Sequence, residues 1–234
     1  MAMSGRADDV LVVCPLTVEA VSVWWGLRGG DVVRAGMRAR RRSAVLAALR
    51  QRPEVPVVVA GVACALTSAT RPGDLVVPDV VCSPRGTWEC ATAPLLASVL
   101  RGNGHTVHRG ALVESDRVVW RVRRGTAAVE DDVRESGDPV ALDLESALLV
   151  ELIEQERPAA VLRAVVDTPT RPLASPATIP GGAAALAALA ASGPALRAWA
   201  TVVARRTWTN DSVVKEVRHR WVCRGTRVCA SRAT

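Results

Sequence analysis

Residues 140–168 read VALDLESALLVELIEQERPAAVLRAVVDT, and this stretch decides the fold class. Two apolar runs within it, VALDLE and VLRAVVD, each end in a carboxylate, Glu145 and Asp167. A helical pattern follows Glu145, whereas Thr-Pro-Thr-Arg-Pro follows Asp167 and can neither extend a strand nor begin a helix. In open α/β sheets, ligands bind outside the carboxyl ends of strands. Both carboxylates are therefore candidate site residues, because an unpaired carboxylate in a core is strongly unfavourable.

Similar apolar runs recur on both sides of this stretch. They predict strands at Val10–Cys14, Asp31–Arg34, Val55–Gly61, Leu75–Val81, Val107–Val113 and Val161–Val166. Helical patterns lie between or after them, at Thr17–Gly26, Arg38–Arg50, Ala93–Arg101, residues 121–135 and, as one Ala-rich helix, residues 183–206. This alternation predicts an α/β fold, a three-layer domain with a mixed central sheet flanked by helices.

Charge divides the 234 residues into a domain, residues 1–206, and a basic C-terminal tail, residues 207–234. The formal net charge is +7, of which residues 201–234 carry +6. We therefore expect the basic character to lie in the tail, with no nucleic-acid partner. The tail is interpreted as disordered or as a short amphipathic segment that contacts anionic lipid.

Several classes of protein are excluded by missing patterns. No secretory signal and no uninterrupted apolar span of membrane length is present, so we expect a cytoplasmic protein, with membrane association through the tail as the alternative. The six cysteines show neither a C-x-x-C pair nor His at ligand spacing, so we expect no metal. The glycine-rich phosphate loops of dinucleotide and ATP enzymes are absent, so we expect no cofactor.

The order of motifs resembles the purine nucleoside phosphorylase and nucleosidase superfamily over residues 9–200. The motifs are VLVVCPLTVEA, Gly36-Met37, AGVACALTSATRPGDLVVPD, GALVESDRVV, ALDLESA and VLRAVVD. Within that superfamily the chain is most similar to the hopanoid-associated phosphorylases, judged by HTVHRGALVESDRVV, LDLESA and VVDTPTRPL. That family is linked to the removal of adenine from adenosylhopane, and the resemblance implies a homo-oligomer.

Carried over position by position, the resemblance implies catalytic and binding roles. Asp167 matches the carboxyl that protonates the departing purine near N7, a general acid worth ~10²–10⁴-fold. Glu145 matches the carboxylate that binds the ribose hydroxyls and complements the developing cation, with Leu144 against the sugar. Glu19 matches the glutamate that activates water in the nucleosidase branch.

The other positions that the resemblance implies lie in loops. Those for substrate binding are Gly61, Val62, Ala63, Asp116 and Val118. If the nucleophile is phosphate instead of water, the relevant region is the start of the Arg-rich second helix, with Gly36 and Arg38.

Three activities remain open at this point. The first is adenine release from adenosylhopane, by phosphate or by water. The second is the same chemistry on a soluble nucleoside of the methylthioadenosine, adenosylhomocysteine or futalosine type. The third is nucleoside binding without turnover, favoured by two departures from the family pattern: Ala65 stands where a glycine is expected, and Val166 where a small polar residue often precedes the Asp.

Overall fold

The computed structural model describes residues 9–116, 139–153, 157–170 and 178–209, with side chains to residue 205. Ten strands in these ranges form one mixed sheet: β1 (Leu11–Cys14), β2 (Asp31–Arg34), β3 (Val57–Ala65), β4 (Leu75–Val76), β5 (Val80–Ser83), β6 (Gly86–Glu89), β7 (Val107–His108), β8 (Ala111–Glu114), β9 (Pro139–Asp143) and β10 (Ala159–Asp167). The helices are α1 (Thr17–Gly26), α2 (Arg42–Gln51), α3 (Ala93–Gly102), α4 (Ser146–Val150), α5 (Thr178–Ala191) and α6 (Gly193–Thr209). The predicted α/β class with a mixed central sheet is confirmed.

Strand β3 is the branch point of the sheet. Its first half pairs with β1 in parallel, and its last two residues pair with β9 in antiparallel. Strand β10 runs parallel to β3 along its other side. β3 and β10 are built from small and β-branched residues, as expected of strands covered on both faces.

The strand ends meet, although not for the reason that the sequence suggested. The sequence predicts that Glu145 and Asp167 face one cleft with Gly61 to Cys64 and the end of the Val107–Val113 strand if these strands run parallel. However, β8 and β9 run antiparallel to β3. Their ends still converge because the end of β9 overlaps the end of β3, with Cys64 opposite Leu142 and Ala65 opposite Ala141. The carboxyl ends of β3, β8, β9 and β10 therefore surround one region.

Three predicted elements are interrupted in the structure. The strand expected over Leu75–Val81 breaks around Pro78, which has no N–H to donate to a ladder. The strand expected over Val107–Val113 breaks at Gly110, where φ is +145°. The single Ala-rich helix is wrong as well: it is two helices separated at Ser192, before Gly193 and Pro194.

The helix predicted from Arg38 begins only at Arg42. Before it lies a 3₁₀ turn, Met37–Ala39, in which Arg38 and Ala39 both have φ of +52°. This left-handed conformation cannot continue an α-helix and costs non-glycine residues energy. The helix expected over residues 121–135 lies outside the described residues.

No single helix in the described residues is long and apolar enough to cross a bilayer. The α5–α6 pair meets the length and composition requirement only when taken together, and it is bent by 41° at the break.

Candidate active site

An arginine lies fully buried in the middle of the central strands. Arg163, on β10, is 0% exposed. Its Nη2 lies 2.7 Å from Asp143 Oδ2, and its Nε and Nη2 donate to Ser146 Oγ at 3.0 and 2.8 Å. Ser146 Oγ in turn donates to Asp143 Oδ2 at 2.6 Å. A buried guanidinium is tolerated only when such partners satisfy it, so this network fixes the cation beneath the converging strand ends.

Glu19 is turned into the protein from the first turn of α1. It is only 2% exposed, and its two oxygens accept the backbone N–H groups of Leu16 at 2.7 Å and Val62 at 2.9 Å. Burial raises the pKa of Glu19, and the Arg163 charge and both N–H groups oppose that rise. Glu19 is therefore a buried carboxyl that two backbone N–H groups fix in place next to Arg163. An ordinary glutamate in the first turn of a helix would be solvated.

Gly61 allows Glu19 and Arg163 to approach β3. A Cβ on Gly61 would lie 2.0 Å from Arg163 Nη1 and 2.9 Å from Glu19 Oε1. Gly61 pairs directly with Arg163 across the β3–β10 ladder, so no side chain fits between them. The ion cluster thus explains why residue 61 has no side chain. A contact between Gly61 and the substrate remains a prediction.

Glu145 stands at the start of α4 but is not used to cap it. Its side chain makes no capping hydrogen bond. The helix N–H groups are instead bonded by Asp143 Oδ1, from Ser146 N at 3.3 Å, and by Glu114 Oε2, from Leu148 N at 2.9 Å. Glu145 is therefore not a capping residue of α4, and its carboxyl is available for other contacts.

The pKa of Glu145 is raised into the physiological pH range. Its pKa is raised to about 7, first by burial and then by the charges of Asp143, Glu19 and Glu114, against the lowering effect of Arg163. Glu19, Asp143 and Glu145 therefore all interact electrostatically with the single guanidinium of Arg163. Such a cluster is typical of sites that bind hydroxyl groups and move protons.

Asp167 ends β10 and meets a cysteine thiol. A register shift between Val165 and Asp167 makes Val166 an extra residue, so that Asp167 pairs with Cys64 on β3. Burial raises the pKa of Asp167, and the neighbouring Cys64 thiol lowers that pKa by less; the Cys64 Sγ itself donates to the Ala65 carbonyl at 3.5 Å. Asp167 therefore has a polar neighbour in Cys64, although Val166 supplies no polar group. That Asp167 and Glu145 face one cleft remains a prediction.

The proposed phosphate region lies beside the end of β8. Arg38 Nη2 donates to the backbone carbonyl of Asp116, which brings together two positions that the sequence assigned to the site. Both residues are exposed, and Gly36 has φ of +73° at the start of the turn. Val118 lies outside the described residues, so its predicted substrate contact is untested.

The remaining predicted positions lie on the same strand ends. Leu144 is half-buried between β9 and α4, and Ala63 is buried opposite Val165. Val62 is half-buried, and its N–H is occupied by Glu19. Contacts of these three residues with a substrate remain predictions.

Four side chains of the candidate site were not identified from the sequence: Arg163, Asp143, Ser146 and Cys64. The first two carried a detectable signal. An Arg within VLRAVVD and an Asp within ALDLE are charges inside runs predicted to be buried, and two such opposite charges are expected to pair. The other two required the fold, because nothing in the sequence relates Cys64 to Asp167.

The fold is shared with purine nucleosidases of known structure. The 5′-methylthioadenosine/S-adenosylhomocysteine nucleosidase from Neisseria meningitidis, solved with methylthio-immucillin-A, aligns over 83% of this chain and 98% of its own, with a TM-score of 0.61 and 17% identity. The futalosine hydrolase of Helicobacter pylori aligns over 83% and 97%, with a TM-score of 0.62 and 14% identity. The nucleosidase from Colwellia psychrerythraea, solved with adenine, aligns over 82% and 95%, with a TM-score of 0.60 and 15% identity. The sequence matches no protein-family model and no curated protein sequence.

Proposed function

We propose that this protein hydrolyses the N-glycosidic bond of an adenine nucleoside and releases adenine. The observation that carries the proposal is the buried Glu19 carboxyl, held by two backbone N–H groups beside Arg163. The fold shared with the methylthioadenosine/adenosylhomocysteine nucleosidases and futalosine hydrolase supports it.

In the proposed reaction, Asp167 assists departure of the base. The bond from the ribose anomeric carbon to purine N9 breaks, and its electron pair moves into the purine. The Asp167 carboxyl donates a proton at N7, so that neutral adenine leaves. Burial raises the pKa of Asp167, which keeps the carboxyl protonated at higher pH than an exposed aspartate and suits it to this role.

Water then completes the exchange at the anomeric carbon. Glu19 accepts one proton from water while the water oxygen forms the new bond to carbon, and Glu145 accepts hydrogen bonds from the ribose hydroxyls. Because burial raises the pKa of Glu19, its carboxylate is a stronger base than a solvated one. The negative charge of the cluster also complements the oxocarbenium character of the transition state.

Electrostatics favour water over phosphate as the nucleophile. A phosphate dianion next to Glu19 would also meet Asp143 and Glu145, whose like charges oppose it. The cation beside Glu19 in the described residues, Arg163, is already bonded to Asp143 and Ser146. A neutral water molecule is not repelled by these carboxylates, so we propose hydrolysis.

The substrate within the adenine nucleosides is a finer proposal. The structural neighbours are named for methylthioadenosine, adenosylhomocysteine and futalosine, and a soluble nucleoside of this kind is the proposed substrate class. Adenosylhopane remains a second candidate, supported by the resemblance of HTVHRGALVESDRVV and LDLESA to the hopanoid-associated phosphorylases.

Adenine release from methylthioadenosine, adenosylhomocysteine, futalosine and adenosylhopane, each with and without phosphate, tests the proposal. We expect phosphate-independent release that Glu19→Gln lowers at least ~10²-fold and Asp167→Asn lowers similarly, with nucleoside binding nearly intact. Asp79→Asn is the matched control, because Asp79 is a half-buried carboxylate paired with Arg109 at the surface.

Other results would point elsewhere. Release that requires phosphate and survives Glu19→Gln would overturn the hydrolytic mechanism. Binding of these nucleosides without release of adenine would leave a non-catalytic binding protein.

A further inference from the structure

Helix α1 exposes an apolar face to solvent. In the described residues, six large hydrophobic side chains are exposed, and four of them lie on this one helix: Val18, Val21, Trp24 and Trp25. Trp25 is 68% exposed and Trp24 48%, and their rings meet edge to face with centroids 5.9 Å apart. Monomeric proteins rarely expose apolar side chains in one contiguous group unless the group binds something.

The face is a property of the helix geometry. Val18, Val21 and Trp25 follow the i, i+3, i+7 spacing of one helical stripe, and Trp24 borders it. The opposite stripe carries Glu19 and Val23, which are buried. Helix α1 packs against the sheet and against helices α5 and α6, yet this stripe stays exposed.

Positive charge is concentrated in the chain segment that contains and follows α1. Between residues 17 and 50 the chain has seven Arg and only two acids, and six of those arginines, Arg28, Arg34, Arg38, Arg40, Arg41 and Arg42, are exposed in one short stretch. Of the two acids, Glu19 is buried and Asp31 is paired with Arg52. The average charge of residues 1–200 therefore conceals a basic region on the fold, contrary to the expectation that only the tail is basic.

Two of these arginines border the apolar stripe directly. Arg34 Nη1 donates to Thr17 Oγ1 at 2.6 Å, at the beginning of α1, and Arg28 follows the end of the helix. Exposed Met37 lies in the turn after β2. The surface formed by Val18, Val21, Trp24 and Trp25, bordered by Arg28 and Arg34, is named here the α1 face.

The composition of the α1 face matches an anionic bilayer surface. Tryptophan partitions into the boundary between headgroups and acyl chains, and arginine near it is attracted to anionic headgroups. A two-fold dimer through this face would bring the same arginines against their copies. The C-terminal tail is equally unsuitable, since residues 201–234 carry +6 and would meet like charge.

We propose that the α1 face docks on an anionic lipid surface. The docking would give helix α1 two functions, with Glu19 on its buried side and the membrane contact on the other. This inference stands on the exposed side chains and the charge. Its meaning for a lipid-linked substrate rests on the proposed function.

Vesicle co-sedimentation of the full chain tests the docking. The vesicles contain either phosphatidylcholine alone or phosphatidylcholine with phosphatidylglycerol. We expect binding to the anionic vesicles, a loss of at least about tenfold in the partition coefficient for Trp24→Ser/Trp25→Ser, and a similar loss for Arg28→Gln/Arg34→Gln.

The matched control is Arg42→Gln/Arg50→Gln on α2. Because β1 lies between β2 and β3, right-handed crossovers place α1 and α2 on opposite faces of the sheet. This control removes two exposed charges away from the α1 face, and we expect less than about a threefold loss, from the general charge effect alone. Turnover of a soluble nucleoside by the double Trp variant should stay at the wild-type rate, which separates failed docking from failed catalysis.

Three results would overturn the proposal. Wild-type binding by the double Trp variant would show that the face does not dock. Loss of binding on Lys215→Ser/Arg218→Ser/Arg220→Ser, with the Trp variant unaffected, would assign docking to the tail. A wild-type dimer that the Trp variant dissociates, measured by light scattering, would show that a second copy covers the face.

Discussion

The two sides of helix α1 depart from ordinary burial in opposite ways. Its inner side buries a carboxyl, Glu19, which is normally solvated, and its outer side exposes tryptophans, which are normally buried. The buried carboxyl is tolerated because Arg163 and two backbone N–H groups stabilise it. The outer side has no such compensation within the described residues. Both departures from ordinary burial therefore point to function, one through chemistry and one through binding.

Removal of the buried cation should have the largest effect. In Arg163→Met, Asp143 and Glu19 remain buried without their positive partner, which typically costs about 3–5 kcal/mol of stability. Part of this loss should be regained at low pH, because protonation neutralises Glu19, whose pKa burial raises. Chemical denaturation at pH 5 and pH 8 measures both effects.

Arg157 supplies the matched control for that experiment. It is also buried, but its guanidinium bonds the backbone carbonyls of Val55, Leu49 and Arg52. Arg157→Met should destabilise the fold without a comparable recovery at low pH. An equal pH dependence of the two variants would contradict the account of the ion cluster.

A methyl group at Gly61 should come next in size. Gly61→Ala places a Cβ against Arg163 and Glu19, and we expect a loss of about 1–3 kcal/mol together with a loss of adenine release. Gly102→Ala is the control, since nothing lies within 4 Å of a Cβ there, and we expect a change within about 1 kcal/mol. Thermal unfolding of both variants measures the difference in stability. A Gly61→Ala variant that is as stable and active as wild type would contradict the described packing.

The sequence predicted the architecture well and the ion cluster poorly. Most strands and helices of β1 to β3 and α1 to α3 were found near their predicted positions, because β-branched runs and turn residues signal them locally. The cluster depends on pairing between distant strands, such as Gly61 with Arg163, which local patterns do not encode. The break at Ser192 was visible in principle, since Gly193 and Pro194 follow it directly.

Glu145 should impose a pH dependence near neutrality. Its pKa of about 7 predicts that kcat/KM rises as pH increases through that value, because the carboxylate form binds the ribose hydroxyls. The fold should respond in the opposite sense. The folded-state pKa lies above the unfolded value, so stability is highest below about pH 4.5 for this group and falls as pH rises through about 7.

Glu145→Gln removes the titrating group and tests both statements. The acid limb of the kcat/KM profile should disappear, and the fall in melting temperature between pH 5 and 8 should become shallower. A variant that keeps the wild-type limb would assign that pKa to another residue.

The thiol at Cys64 should give the smallest effect. Because the neighbouring thiol lowers the pKa of Asp167, Cys64→Ala should move the alkaline limb of kcat/KM to higher pH and change the rate by about twofold to tenfold. Cys64→Ser keeps a donor and should stay close to wild type. Identical profiles for Ala and Ser would remove Cys64 from the account of Asp167.

Isotopic labelling of the sugar product tests the central claim, hydrolysis assisted by Glu19, most directly. The wild-type protein turns over an adenine nucleoside in ¹⁸O-water containing phosphate, and mass spectrometry measures the masses of the products. We expect free adenine and a sugar with one ¹⁸O at the anomeric position, and almost none of either from Glu19→Gln. A sugar 1-phosphate without the label, formed equally well by Glu19→Gln, would contradict the account.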